Sequence, residues 1–195
     1  PTRRSSDLKA NGVTIDYYKT GHSYIKRRTT DLNALAGFEK SGHFFFRDPY
    51  GLGYDDGTVA AKAVLQMLDN AAGKKLSELK QDLPKTWTSM TMSCHCDDEI
   101  KYGTVDKIVA GFEKLASDGG TILGTAIKNV NTINGARVNL VNGSFVLVRA
   151  SSNKPELVVV VESTISEQDM KDLFHKGVMP ILNNYPEIGH FNQTV

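Results

Sequence analysis

Arg137-Val-Asn-Leu-Val-Asn-Gly-Ser-Phe-Val-Leu-Val-Arg149 places an Asn-Gly pair between two β-rich runs. Asn-Gly in this position is the strongest short-range signal for a β-hairpin, because both residues tolerate the positive φ angles of a tight turn. An unbroken aliphatic run at Leu157–Val161 predicts a further strand. This part of the chain is therefore predicted to form an antiparallel sheet.

The sequence around this hairpin predicts one more strand and two helices. Thr88–Cys96 alternates apolar and polar residues as a strand does. Ser166 followed three residues later by Asp169 predicts the start of a last helix. An earlier helix is predicted from apolar residues at helical spacing, which are Val105, Ile108, Val109, Phe112 and Leu115. We therefore expect residues 85–195 to form an α+β domain with a four-stranded antiparallel sheet and two helices.

Residues 9–84 show a different pattern, in which predicted strands and helices alternate. Strands are predicted at Val13–Tyr17 and Phe44–Phe46. Helices are predicted after Ser23, over Thr58–Ala72, and in a short segment at Leu76–Leu83. Alternation of this kind implies parallel pairing and an α/β layer, so a partial three-layer α/β unit is expected before a linker near Pro84.

Composition restricts the class of protein. The 195 residues carry a net charge of +1 with acids and bases interleaved, whereas a nucleic-acid surface would show a basic stripe. No apolar run approaches the roughly 18 residues that span a bilayer. Cys94 and Cys96 are expected to be reduced strand cysteines, with a zinc site or a redox pair as the alternative. We therefore expect a cytoplasmic protein without nucleic-acid or membrane partners.

The first eight residues, Pro1–Leu8, read as the translation of a common sequencing-adapter sequence. We expect this stretch to be a scar that takes no part in the fold. A native basic arm is the alternative. Leu8–Asn11 is expected to be the tail of a helix that Gly12 ends.

A first polar loop, Gly37–His43, contains groups suited to sugar hydroxyls. Glu39 offers a carboxylate, Ser41 a hydroxyl and His43 an imidazole. His22 lies at a predicted strand-to-helix turn, where α/β proteins often place ligand-binding groups. A polar surface turn is the alternative. Asp55 and Asp56 are expected to cap the following helix rather than to bind a metal.

A second polar loop, Arg149-Ala-Ser-Ser-Asn-Lys-Pro155, lies between the last two predicted strands. Arginine forms bidentate, charge-assisted hydrogen bonds with phosphoryl oxygens. Ser151, Ser152 and Asn153 add hydroxyl and amide groups, and successive backbone N–H groups can form an anion cradle. The loop therefore suits a phosphate, although a plain inter-strand turn would have a similar composition.

Four separated segments together resemble the α-D-phosphohexomutase superfamily, in particular its phosphomannomutase/phosphoglucomutase branch. The segments are Thr20–Ser23, Glu39–His43, Tyr54–Gly57 and Arg149–Pro155, in the order that the family has them. The resemblance implies that residues 9–84 are the latter part of the family's third domain. It also implies that residues 85–195 are its fourth domain, a TBP-like α+β fold that binds phosphate.

The resemblance also implies roles. Glu39 and Ser41 would bind hexose hydroxyls, while His22 and His43 would be active-site histidines, with His43 a candidate for proton transfer. Substrate phosphate would be bound by the second loop, through Arg149, Ser151, Ser152 and Asn153. The family reaction uses a phosphoserine and Mg²⁺, and passes through a bisphosphorylated sugar. Phe38, Lys40 and Ser152-Asn153 depart from the common family residues, which leaves sugar specificity open.

No segment of the sequence resembles the family's phosphoserine loop or its aspartate-rich metal loop. We therefore expect a C-terminal fragment of a mutase that interconverts hexose 1-phosphates and 6-phosphates, inactive without its N-terminal domains. Those domains, which would hold the Mg²⁺ site, and a hexose phosphate are the expected partners. A phosphoglucosamine mutase fragment and a non-catalytic phosphosugar-binding module are the alternatives.

Overall fold

The computed structural model describes residues 12–79, 81 and 83–195, and the chain divides into two compact units, Pro1–Pro84 and Lys85–Val195. The predictions for Pro1–Leu8 and for a helix tail at Leu8–Asn11 lie outside the described residues.

The first unit combines helices with a small hairpin. Its elements are α1 (His22–Asp31), β1 (Ala36–Phe38), β2 (Phe44–Phe46), α2 (Gly57–Asp69) and α3 (Leu76–Leu79). β1 pairs with β2 antiparallel, with Phe38 opposite Phe44. Parallel pairing, predicted from the alternation of strands and helices, is wrong for these two strands, because the Glu39–His43 connection is too short for a parallel crossover.

The strand predicted at Val13–Tyr17 is also wrong. This segment is irregular, and no strand of the described residues lies beside it to take up its backbone hydrogen bonds. Of the three alternating apolar residues, Ile15 and Tyr17 are partly buried and Val13 is exposed.

Gly37 lets the hairpin pack closely on α1. A Cβ at this position would lie 2.2 Å from Thr29 Oγ1 and 2.9 Å from Ile25 Cγ2. Phe45, in the centre of β2, is completely buried. By contrast, α2 buries none of its residues fully, and Leu65 on its apolar face is 62% exposed. The sequence therefore predicted the helix α2 but not the exposure of its apolar face.

The second unit is an antiparallel sheet covered by helices. Its elements are β3 (Trp87–Thr88), β4 (Met92–His95), α4 (Lys101–Ser117), β5 (Thr121–Ile122), β6 (Thr125–Asn131), β7 (Ala136–Leu140), β8 (Phe145–Ala150), β9 (Glu156–Ser163), α5 (Glu167–Asp172), a π-helical segment (Leu173–Val178) and α6 (Met179–Leu182). The strand order is β3-β9-β8-β7-β6-β5, with β4 also paired to β9. The α+β prediction and the β7–β8 hairpin are confirmed.

Two details of this sheet differ from the prediction. The single strand expected at Thr88–Cys96 is interrupted, so that β3 and β4 pair separately with β9. β6 was not predicted, because its register against β7 shifts between Ile127 and Asn129 and breaks the alternation of apolar and polar residues. The sheet therefore extends beyond the four predicted strands.

A single large core lies between the sheet and its helices. Its completely buried side chains include Ile108 and Phe112 of α4, Val146 of β8, Val159 of β9 and Phe174 of the π-helical segment. The predicted start of the last helix is confirmed, since the Ser166 hydroxyl accepts a hydrogen bond from the Asp169 N–H at 3.0 Å. This core supports the strands that carry the second polar loop.

Candidate functional site

The first polar cluster forms where the β1–β2 turn meets the start of α1. The Gly21 N–H, at the N-terminus of α1, donates to Glu39 Oε2 at 2.9 Å. A carboxylate is favourable at this end of a helix, because it complements the positive end of the helix dipole. The expected Ser23 cap is wrong, since Gly21 is the N-cap residue and no side chain caps this helix.

The Glu39–His43 turn determines how its side chains are presented. The Glu39 N–H donates to the His43 carbonyl at 3.0 Å, and the Gly42 N–H donates to the Glu39 carbonyl at 3.0 Å. Ser41 is exposed at the tip of this turn. Glu39 Oε1 is buried and has no hydrogen-bond partner among the described residues. The cluster therefore contains an exposed hydroxyl and a carboxylate oxygen with unused acceptor capacity.

Asp55 binds the two histidines of this cluster. His43 Nδ1 donates to Asp55 Oδ2 at 2.5 Å, and His22 Nε2 lies 3.9 Å from the same oxygen. The Phe44 N–H donates to Asp55 Oδ1 at 3.2 Å, which fixes the carboxylate against β2. The His22 ring also packs edge-on against the buried ring of Phe45, at a centroid separation of 5.0 Å. The structure thus brings His22, His43 and Asp55 together.

The hydrogen bond between His43 and Asp55 shifts the pKa of both groups. The pKa of His43 lies above its ordinary value, mainly because its ring donates to the Asp55 carboxylate. The pKa of Asp55 lies below its ordinary value for the same reason. Since an ionised carboxylate only accepts hydrogen bonds, the Nδ1 atom of His43 carries a proton in this contact. Asp55 therefore fixes the orientation of the His43 ring.

Asp55 has a role that the sequence reasoning missed. Both Asp55 and Asp56 were expected to cap the helix, but only Asp56 does so, accepting from the Thr58 N–H at 2.8 Å. Asp55 forms an isolated bridge with Phe45 instead. Its backbone thereby aligns with β2, and its side chain points to His43. A pairing between residues ten positions apart in an irregular segment leaves no periodic signal in the sequence.

The second polar cluster is the loop between β8 and β9. Arg149, the penultimate residue of β8, donates from Nη1 to the Ala150 carbonyl at 3.0 Å. The Ser151 N–H donates to the Glu156 carbonyl at 2.9 Å and so closes the base of the loop. Ser151 is buried, and its hydroxyl accepts from the Asn153 N–H at 3.4 Å. Ser151 therefore shapes the turn from inside.

The outer part of this loop has unused hydrogen-bonding groups. Ser152 and Asn153 are exposed. The backbone N–H groups of Ser152 and Lys154 form no hydrogen bond with any other described residue. Backbone N–H groups of one turn can donate to an oxyanion, and a guanidinium can add charge-assisted hydrogen bonds. The loop thus has backbone donors that no other described residue occupies.

The described residues do not provide a metal site. Within residues 12–79, 81 and 83–195, no group of three His, Cys, Asp or Glu side chains could hold a metal ion. Cys94 and Cys96 are free and buried, and burial raises the pKa of Cys94 to about 12. None of the described helices is long and apolar enough to cross a bilayer.

Comparison with known proteins gives a consistent result for both units. A family model described as phosphoglucomutase/phosphomannomutase, alpha/beta/alpha domain III, matches residues 5–87. The model of the C-terminal domain of the same family matches residues 94–177. Together the two matches contain the four segments on which the resemblance was based.

Individual relatives agree with these family matches. The chain is 30% identical over 183 residues to a phosphomannomutase/phosphoglucomutase from Pseudomonas putida, which covers 92% of this chain and 36% of the relative. It is similar in structure to a phosphoglucomutase/phosphomannomutase family protein from Burkholderia thailandensis, with a TM-score of 0.66 and 27% identity, covering 86% of this chain and 32% of the other. A probable phosphoglucosamine mutase from Methanothermobacter thermautotrophicus is 26% identical over 151 residues, 74% of this chain and 31% of the relative. The chain thus spans about a third of the length of these relatives.

Proposed function

The chain belongs to the phosphoglucomutase/phosphomannomutase family, as the resemblance of its motifs predicted, and we propose that it supplies sugar and phosphate recognition to an enzyme that interconverts hexose 1-phosphates and hexose 6-phosphates. Phosphate recognition is assigned to the Arg149–Pro155 loop, and sugar recognition to the cluster around Glu39 and His43. The observation that carries this proposal is the pair of unused N–H groups, of Ser152 and Lys154, in the loop that begins at Arg149.

Arg149 and the loop would bind the phosphate that is not being transferred. A guanidinium contributes charge and two parallel hydrogen bonds, and the loop amides complete the contacts to the remaining oxygens. Asn153 and Ser152 are exposed and add side-chain donors. Binding of one phosphate holds the substrate in place while its other end reacts. Because the substrate is already positioned, the entropic part of the activation barrier is lower.

The first cluster would bind hydroxyl groups and move a proton. Ser41 and the Glu39 carboxylate are suited to hexose hydroxyls, with Glu39 also fixing its turn to α1 through Gly21. His43 Nε2 would exchange a proton with a sugar hydroxyl, while Asp55 keeps the ring oriented and its Nδ1 protonated. His22 would line the same cluster and contact the Asp55 carboxylate when protonated.

The phosphoserine and Mg²⁺ of the family reaction would come from the N-terminal domains of the same enzyme, where the metal would stabilise charge on the transferring phosphoryl group. The 195-residue chain is therefore expected to bind hexose phosphates weakly and not to interconvert them. A phosphoglucosamine substrate is a weaker proposal, because the relative with that name is less similar than the phosphomannomutase/phosphoglucomutase.

Two measurements on the purified chain test this proposal. Calorimetric titration with glucose 6-phosphate should give saturable binding, and titration with glucose 6-sulfate should distinguish phosphate recognition from general anion binding. Incubation with glucose 1-phosphate, followed by ³¹P NMR, should show no glucose 6-phosphate. Absence of glucose 6-phosphate binding at millimolar ligand would contradict the recognition role. Turnover by the chain alone would contradict the proposal that the N-terminal domains supply the groups for phosphoryl transfer.

A further inference from the structure

Lys101 is a buried cation at an unfavourable position. It is the first residue of α4, and only 4% of its surface is exposed. Lysine is almost never fully buried unless it is paired, and a positive charge at a helix N-terminus is opposed by the helix dipole. Specific contacts of the ammonium group must therefore offset the unfavourable position.

The ammonium group contacts one carboxylate and one carbonyl among the described residues. Lys101 Nζ donates to Asp98 Oδ1 at 2.5 Å and to the carbonyl oxygen of Lys154 at 2.9 Å. It also lies 5.3 Å from the centroid of the Tyr102 ring. Asp98 has a side chain that is 64% exposed, so this carboxylate alone does not require the lysine to be buried. The Lys154 carbonyl is the second acceptor that compensates for burial of the ammonium group.

The Lys154 carbonyl belongs to the phosphate loop. It accepts a second hydrogen bond, from the Glu156 N–H at 2.8 Å, and the next carbonyl, of Pro155, accepts from the Cys96 N–H at 3.0 Å. Backbone N–H groups outside the turn, of Glu156 and Cys96, thus fix the C-terminal side of the loop. The backbone N–H of Lys154 itself remains unused. Fixing the Lys154 carbonyl restricts the backbone of the residue that presents this N–H.

We propose that Lys101 is a positioning residue for phosphate binding: its charged hydrogen bond to the Lys154 carbonyl holds the Ser151–Lys154 backbone in the conformation that presents its amides to a phosphoryl group. This inference rests on the proposed phosphate-binding function of the loop. Lys101 does not touch the ligand in this arrangement. It acts through the loop, and a charged donor is suited to this because hydrogen bonds to charged groups are stronger than neutral ones.

The test compares three variants of the 195-residue chain. Lys101→Met removes the charge and the donor but keeps the length of the side chain, and Lys101→Arg keeps both charge and donor. Lys114→Met is the matched control, because Lys114 lies on the same helix, is 75% exposed and forms its ion pair among the described residues with Asp118, four residues away. The amide signals of Ser151–Lys154 in ¹H–¹⁵N spectra report the loop, and titration with inorganic phosphate reports binding.

Lys101→Met is expected to shift and broaden the loop amides without ligand, and to weaken phosphate binding about tenfold or more. Lys101→Arg should restore most of the affinity, and Lys114→Met should leave both readouts unchanged. Unaltered loop amides together with unaltered phosphate affinity in a folded Lys101→Met variant would overturn the proposal. If Lys101 only stabilised the fold, Lys101→Met would lower the melting temperature but leave the phosphate affinity of the folded chain unchanged. There would then be no loss of binding for Lys101→Arg to restore, and this result would also overturn the proposal.

Failure of the two proposals can be told apart. If the wild-type amides of Ser151–Lys154 do not respond to phosphate, the binding function of the loop is wrong, and the free-state shifts still test the positioning role. If Lys101→Met does not fold, the lysine ammonium signal of the wild-type chain provides the test. It should show a through-hydrogen-bond coupling to the Lys154 carbonyl carbon, and absence of this coupling would overturn the positioning role.

Discussion

Different interactions hold the two polar segments in place, namely the hairpin with Glu39 and His43 and the loop with Arg149. Within the described part of the first unit, Phe45 is the only fully buried apolar side chain, and the apolar residues of α2 are largely exposed. The loop of the second unit joins two strands of a sheet with a continuous buried face. The first cluster is therefore held mainly by polar contacts and the second by a packed core.

This difference implies different responses to mutation. In the first unit, contacts such as Gly21–Glu39 and His43–Asp55 determine geometry, and each is partly exposed to water. In the second unit, the core determines geometry, and the loop adds local hydrogen bonds. The loss of stability on truncating a buried side chain should therefore be largest in the second unit, while the geometry of the first cluster should depend on the protonation of His43 and Asp55.

The largest effect is expected from the core beneath the sheet. Phe112→Ala removes a completely buried ring, and should lower the free energy of unfolding by about 3–5 kcal/mol. The matched change in the first unit, Leu65→Ala, removes a side chain that is 62% exposed, and should cost about 0.5 kcal/mol or less. Urea unfolding followed by circular dichroism measures both. Equal costs would mean that the two units do not differ in packing.

A smaller effect is expected from the guanidinium of the loop. Arg149→Ala should weaken glucose 6-phosphate binding by about 1.5–3 kcal/mol, since a charged hydrogen-bonding partner is lost. Lys128→Ala, on the exposed side of β6, removes the same charge away from the loop and serves as the control. Calorimetric titration with glucose 6-phosphate measures the affinity of both variants. Identical affinities for the two variants would show that Arg149 does not bind the phosphate.

A still smaller effect is expected at the tip of the hairpin. Ser41→Ala removes one exposed hydroxyl, and should weaken hexose phosphate binding by about 0.5–1.5 kcal/mol while leaving the free energy of unfolding unchanged. Ser117→Ala, which removes a hydroxyl at the C-terminal end of α4, is the control for binding. Retention of full affinity in Ser41→Ala would show that this hydroxyl does not contact the sugar.

The last and most specific effect concerns the pH dependence of stability. Because the folded pKa of His43 is raised, its contribution is complete below the ordinary value of 6.5 and is lost as pH rises through the folded value. Because the folded pKa of Asp55 is lowered, its contribution is present above 3.8 and is lost as pH falls through the folded value. Asp55→Asn should therefore lower stability mainly between these two folded pKa values.

The same variant has a direct spectroscopic readout. Asp55→Asn should move the titration midpoint of His43 downward in histidine NMR spectra, because the main cause of its raised pKa is removed. Asp56→Asn, at the helix cap next to it, should leave the His43 midpoint nearly unchanged. An unchanged midpoint in Asp55→Asn would mean that the carboxylate does not orient this imidazole.

The sequence predicted local features well where one residue type dictates geometry. The Asn142-Gly143 hairpin and the Ser166 cap follow from turn and capping chemistry, and both are present. The four-motif resemblance identified the family, which supplied the site residues. The Val13–Tyr17 strand was wrong because an alternating pattern needs a neighbouring strand, which the described residues do not provide.

The contacts that sequence reasoning missed connect residues without a periodic relation. Asp55 reaches His43 through a bridge with Phe45, and Lys101 reaches the Lys154 carbonyl across 53 positions. Neither contact depends on hydrophobic spacing, so neither leaves a pattern in the sequence. These contacts fix His43 and the Lys154 backbone, although both segments could be identified from the sequence.

The most direct measurement is a pair of ¹H–¹⁵N titrations of the labelled chain, one with inorganic phosphate and one with unphosphorylated glucose. Phosphate is expected to shift the amides of Arg149–Lys154 and glucose those of Glu39–His43, each with little effect on the other segment. Phosphate shifts confined to the hairpin, or shifts spread over basic residues of both units with the Arg149–Lys154 amides unmoved, would contradict the assignment of phosphate and sugar recognition to these two segments.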